Sequence, residues 1–234
     1  MQNPLDAALS NPWGALRRVV GDPLHPGGYE ATERLLDRAD VTADTKLLDV
    51  GCGAGGALEL ARNRGASAVG LDRDPAGDGT VAGEVTSLPV RTGHVDVVLS
   101  ECVVCLADDV DSALAEARRV TGPDGRLALS DVVVEGETPD VPDPMARALC
   151  LDGPRDRETL LARIEGAGFA VGEVRDQRDD LLAMRDDVQS AVDYEGLLGL
   201  LGERGERILA GIEALEAAVE SGEVGYVSLV AEAT

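Results

Sequence analysis

Residues 47–56 read Leu-Leu-Asp-Val-Gly-Cys-Gly-Ala-Gly-Gly, an apolar run of strand length that passes directly into a glycine-rich turn. Glycine lets a backbone come close to a ligand, and a helix starting just after the turn, over 57–64, would present free N–H groups to it. A second apolar run, 68–72, ends on Asp72, and a carboxylate at that point can hold two ribose hydroxyls. Strand, glycine turn, helix, strand and acid in this order make a nucleotide-type binding unit, far more specific than glycines alone.

The turn leaves two ligand types open. Gly53-Ala-Gly55-Gly56 does not exclude a dinucleotide. Asp49 discriminates better: a carboxylate just before the turn suits the amino group of a methionine moiety and repels a pyrophosphate. The spacing Asp49-x-Gly51-x-Gly53-x-Gly55 resembles the first motif of the class I S-adenosylmethionine-dependent methyltransferases. Ser87-Leu-Pro-Val90, His94-Val-Asp96 and the segment Arg119 to Gly125 resemble later motifs, so the likeness spans about residues 30–175. It implies S-adenosylmethionine as cofactor, Asp72 on the ribose hydroxyls, Glu84 or the Val85 backbone at the adenine edge, and Ser100 among the cofactor-side residues. The family usually carries Asp where Glu84 stands.

A narrower resemblance follows. Ser100-Glu-Cys102-Val-Val-Cys105-Leu, Ser130-Asp-Val-Val and Ala148-Leu-Cys150-Leu-Asp-Gly are similar to segments of the arsenite methyltransferases. In that family a cysteine after strand four and another after strand five hold trivalent arsenic beside the methyl donor. The resemblance puts Cys102 and Cys150 on those positions, with Cys105 or water as a third ligand. Soft thiolates select soft centres. The chain has no cysteine before Cys52 and lacks the C-terminal cysteine pair of many members. The residues also allow plainer readings. Cys52 fits a turn that needs only a small side chain, a single Cys-x-x-Cys pair does not complete a four-ligand zinc site, and buried cysteine packs as a small hydrophobe.

Acids outnumber bases 44 to 21, a formal charge of −23, and Lys46 is the sole lysine. Such a surface repels nucleic-acid phosphates and anionic membranes. Either salt adaptation or a GC-rich genome accounts for it. No run of 18 apolar residues marks a membrane span, and the N-terminus lacks the basic and apolar regions of a secretion signal. A cytoplasmic protein is expected, its cysteines as free thiols or ligands rather than structural disulfides. The oligomeric state is not readable.

The elements that must position these residues alternate. Strands are expected at 46–50, 68–72, 80–85, 95–100, 126–134, 169–174 and 225–231, and helices at 30–38, 57–64, 109–120 and 157–167. A turn is expected at Pro123-Asp-Gly125, and almost no helix between the second and third strands. This predicts an α/β fold: a doubly wound, mostly parallel, seven-stranded sheet of the Rossmann-like methyltransferase kind. Residues 1–45 form a leader and helix over the cofactor site, 46–178 the core, 179–221 a Leu-rich helical insertion expected to shape the acceptor pocket, and 222–234 the last strand.

Histidines are scarce. His25, in His-Pro-Gly-Gly, is a turn residue or a cap over the cofactor, and His94 is expected at the surface. Methylating a hydroxyl usually needs a general base, whereas trivalent arsenic brings its own lone pair. The leading expectation is methyl transfer to a thiol-bound arsenical. The alternatives are a small organic acceptor methylated at O, N or C, with Asp, Glu or Tyr of 179–221 supplying a base, and a cofactor-binding protein without turnover.

Overall fold

The computed structural model describes Arg17 and residues 21–151, 156–191, 194–199 and 201–234. Most of the expected leader therefore lies outside the described residues. Seven strands form one sheet: β1 (Lys46–Val50), β2 (Ser67–Asp72), β3 (Thr80–Ala82), β4 (Val95–Glu101), β5 (Thr121–Val134), β6 (Phe169–Asp176) and β7 (Val224–Ala233). They lie in the order β3-β2-β1-β4-β5-β7-β6. β7 runs antiparallel to both β5 and β6, and the other pairs are parallel. The order reverses between β1 and β4, which opens a crevice at the carboxyl ends of these strands.

Both faces of the central strands are buried, so β1 and β4 are nearly continuous apolar runs. Alternation still decides which side chain meets which helix. Leu47, Val97 and Leu99 face the side covered by α1 (Gly28–Arg38) and α2 (Gly56–Asn63), where Leu35, Leu36 and Leu58 are buried. Leu48, Val50 and Val98 face α3 (Val110–Val120) and α5 (Arg157–Gly166), meeting Leu114, Leu160 and Ile164. By the same parity Asp49 and Glu101 lie on the α1/α2 side and Ser100 on the α3 side.

Two expectations change at the strand ends. The third strand stops at Ala82, and a tight turn follows in which the Ser87 N–H donates to the Glu84 carbonyl at 3.0 Å. The expected turn at Pro123–Gly125 is absorbed into β5: the register passes from Val95 beside Thr121 to Val97 beside Arg126, so the extra residues bulge out of the ladder. Seven residues separate Asp72 from Thr80 and hold no helix, as expected.

After β5, α4 (Asp143–Ala148) leads through Cys150 toward α5. Among the described residues the insertion before β7 holds three helices, α6 (Arg178–Ala191), α7 (Tyr194–Gly199) and α8 (Glu203–Ser221), the last ended by Gly222 at φ +85°. Leu181, Leu182 and Leu215 pack on a cluster of Val132, Val134, Leu151 and Tyr226. Asp180 reaches α1, accepting from Arg34 at 2.6 Å.

Candidate active site

A cleft of about 390 Å³ opens at the carboxyl ends of β1, β2 and β4. Its floor is the glycine turn. Gly51 has φ +76°, and a side chain there would collide with Val103 of the segment after β4. Gly53 and Gly55 also hold positive φ, and Gly55 caps α2. A Cβ on Gly56 would come within 2.5 Å of the exposed Tyr29 ring, which would have to move aside.

Asp72 is tied to the turn: Oδ2 accepts the Gly53 N–H at 2.9 Å and Oδ1 accepts the Asp74 N–H at 2.9 Å. Glu84 and Val85 line the cleft beyond it. Asp49 lines it too, is buried, and leaves Oδ2 without a hydrogen-bond partner. Burial, with Glu101 and then Asp72 nearby, raises its carboxyl well above the usual carboxylate range. The Glu101 carboxyl is also raised, chiefly by burial. Cys52 packs against β2 at Gly70, and burial pushes its thiol up to about 12, in keeping with a small packing residue.

Ser100 does not share this space. Its Oγ, buried and without a hydrogen-bond partner, faces an apolar void of about 10 Å³ among Val50, Leu114 and Leu127. The strand alternation that aims Glu101 at the cleft turns Ser100 away from it.

His25, expected as a turn residue or a cap over the cofactor, completes the wall. His25 and Glu101 both line the cleft and are buried, with His25 Nε2 3.7 Å from Glu101 Oε2. Thr32 Oγ1 donates to Glu101 Oε2 at 3.0 Å and lies 3.2 Å from His25 Nε2. His25 Nδ1 stands 3.2 Å from the Pro26 carbonyl. A carbonyl only accepts, so Nδ1 carries a hydrogen, and Nε2 faces Thr32 Oγ1 and Glu101. The sequence signal was present in His-Pro-Gly-Gly, but its partner lies 76 residues away and only folding joins them.

The cysteines are arranged otherwise than expected. Cys105, in the 3-10 turn Val104–Leu106, forms a disulfide with Cys150, with Cα atoms 5.3 Å apart. The expected pairing of Cys102 with Cys150 is thus replaced, and the expectation of free thiols or ligands fails for this pair. In the turn after β4 the Cys105 N–H donates to Asp131 Oδ2 of β5 at 2.8 Å, while Cys102, at φ +54°, lines the cleft and packs on the edge of the cluster that holds the disulfide. Cys102 Sγ donates to the Tyr226 hydroxyl at 3.7 Å, and that hydroxyl donates to Ser130 Oγ at 2.7 Å. Burial, then Asp131, raises the Cys102 thiol, so it stays protonated near neutral pH. Among the described residues, none of 179–221 lines the cleft. The walls of this cleft come from the α1 side, the glycine turn and the segment after β4.

Residues 48–129 match the family model described as a methyltransferase domain. The chain is 33% identical over 176 residues to the methyltransferase GfsG of Streptomyces halstedii, covering 66% of this chain and 63% of that one. It is 38% identical over 94 residues to the arsenite methyltransferase of Halobacterium salinarum, covering 39% of this chain and 24% of the relative. The chain thus spans less than two thirds of these curated relatives. Among solved structures, a Haemonchus contortus phosphoethanolamine N-methyltransferase in complex with S-adenosyl-L-methionine superposes with a TM-score of 0.72 at 15% identity, over all of this chain and 60% of that one. A sheet in this order, opened by an acid-flanked glycine turn, has the fold of the class I S-adenosylmethionine-dependent methyltransferases, and residues 48–129 within it match the methyltransferase domain family.

Proposed function

We propose that the chain transfers the methyl group of S-adenosylmethionine to a proton-bearing nucleophile, an oxygen or nitrogen, on a small organic molecule. The cleft fits the cofactor on its own chemistry. Asp49, Asp72 and Glu101 put three carboxylates around one space, one of them with an orphaned buried oxygen, and a buried charge needs a partner of opposite sign. A sulfonium with an ammonium group meets that need, where a pyrophosphate would not. Asp72 would hold the ribose, Glu84 and Val85 the adenine edge, and Asp49 the amino group. When bound, S-adenosylmethionine supplies an electrophilic methyl for in-line transfer.

The chain's own part is orientation, exclusion of water and removal of a proton. The observation that carries the acceptor class is His25 Nε2 at 3.7 Å from Glu101 Oε2 on the cleft wall. A proton received at Nε2 makes an imidazolium that Glu101 faces directly, while Pro26 holds the other ring nitrogen in place. Such a pair has a use when the acceptor loses a proton.

A thiol-held trivalent arsenical is the second reading. It is supported by Cys102 on the cleft wall and by the arsenite methyltransferase relatives. It ranks second because Cys150 is bound to Cys105 and Cys102 is held protonated.

The test is transfer of labelled methyl to a panel of hydroxyl and amine acceptors and to arsenite with excess thiol, in wild type, His25→Asn and Cys102→Ser. The first reading requires organic products lost in His25→Asn and kept in Cys102→Ser. Arsenic products lost in Cys102→Ser and kept in His25→Asn would reverse the ranking.

A further inference from the structure

Cys105 comes from the 3-10 turn after β4, Asp131 from β5 and Cys150 from the segment after α4, yet their ligating atoms all lie within 4.8 Å of one another. All three residues are buried and none lines the cleft; the two cysteines sit in the cluster of Val132, Val141, Leu151 and Tyr226. We propose that Cys105, Cys150 and Asp131 form, once the disulfide is reduced, a binding site for a soft divalent metal ion of the zinc or cadmium kind.

The donor set and its spacing carry this. Two thiolates and a carboxylate are a borderline-soft set. Zinc–sulfur and zinc–oxygen bonds of about 2.3 and 2.1 Å put tetrahedral ligand atoms roughly 3.4–3.8 Å apart; the carboxylate is already within 4.8 Å of both sulfurs, and the two sulfurs part to that distance once their bond is reduced. The carboxylate is already oriented: Asp131 Oδ2 accepts the Cys105 N–H at 2.8 Å and Oδ1 accepts the Val132 N–H at 3.0 Å. Outer hydrogen bonds of this kind are what fix a ligating carboxylate. The first of them ties the carboxylate to the backbone of a second ligand, so both move together. Three protein ligands leave a fourth position for water.

Metal and disulfide exclude each other. A dithiol reductant gives the bridge two electrons and two protons and itself becomes a disulfide, leaving two thiols. The ion then binds both sulfurs as thiolates and displaces their two protons to solvent. Cys102, Val103 and Leu106, beside Cys105 in sequence, line the cleft, so each closed form, bridged or metal-bound, holds that wall, and the metal-free dithiol releases it.

Full-length protein reduced with dithiothreitol and freed of reductant would be titrated with cadmium chloride, reading the ultraviolet thiolate-to-cadmium band. The expected result is one equivalent bound by reduced wild type and none by the oxidised protein. Cys150→Ser should lose the band, Cys102→Ser and Cys52→Ala should keep it, and Asp131→Asn should weaken binding about 10-fold or more. In unmutated protein, cadmium should protect Cys105 and Cys150 from alkylation, read by peptide mass spectrometry, which covers the case of a variant that does not fold. No band in reduced wild type, an undiminished band in a folded Cys150→Ser protein, or protection of other cysteines only, would overturn the proposal.

Discussion

Thr32 Oγ1 donates to Glu101 Oε2 at 3.0 Å, across 69 residues of sequence, and ties α1 to the end of β4. Thr32 is fully buried, and it stands between Glu101 and His25. Thr32→Val keeps the shape and removes the donor, leaving a buried carboxylate short of a hydrogen bond. We expect a loss of about 1–3 kcal/mol of folding stability, measured by urea denaturation, with Thr32→Ser recovering most of it. Equal stability of the Val and wild-type proteins would show that the contact is idle.

Asp49 and Glu101 set the pH dependence. Both carboxyls are raised by burial first, so the free protein keeps their protons to higher pH than an unfolded chain does. Their favourable contribution is therefore complete below the unfolded carboxyl range and is lost as pH rises through the raised folded values. Asp49→Asn should remove part of this fall, seen as a smaller drop in melting temperature from acid to neutral pH. Cofactor binding has the opposite sign: affinity should rise with pH and protons should be released, because a cation favours the charged carboxylates. Calorimetry in two buffers of different ionisation enthalpy counts those protons. A count of zero would sink the assignment of Asp49 to a cationic group.

Asp72 should matter for binding more than for folding. Asp72→Ala is expected to lose about 1–3 kcal/mol of S-adenosylmethionine affinity, the scale of hydrogen bonds to a charged group. The same change also frees the Gly53 N–H, so a circular dichroism check belongs beside the calorimetry. NAD should not bind either protein. Tight NAD binding to wild type would contradict the reading of Asp49.

With 44 acids against 21 bases, self-repulsion should weaken the fold in dilute buffer, and salt should screen it. The melting temperature is expected to climb steeply with KCl into the molar range. A flat profile would favour genome composition as the origin of the charge.

The sequence by itself determined the local units. Strands β1, β2 and β4, the glycine turn at Gly51–Gly55, Asp72 at the end of β2 and the missing helix before β3 all follow from periodicity and backbone chemistry within a window of about twenty residues. The parallel order follows from strands alternating with helices. Only the tertiary structure decided the rest, because it depends on which distant segments meet. Whether Ser100 or Glu101 faced the cleft was a matter of strand parity against α1. His25 acquired a partner because Thr32 is buried against the end of β4. Cys150 joined Cys105 while Cys102, packed on the edge of the same cluster, bonds to Tyr226 instead. Residue type gave each cysteine several possible chemistries, and the three-dimensional direction of each side chain chose among them.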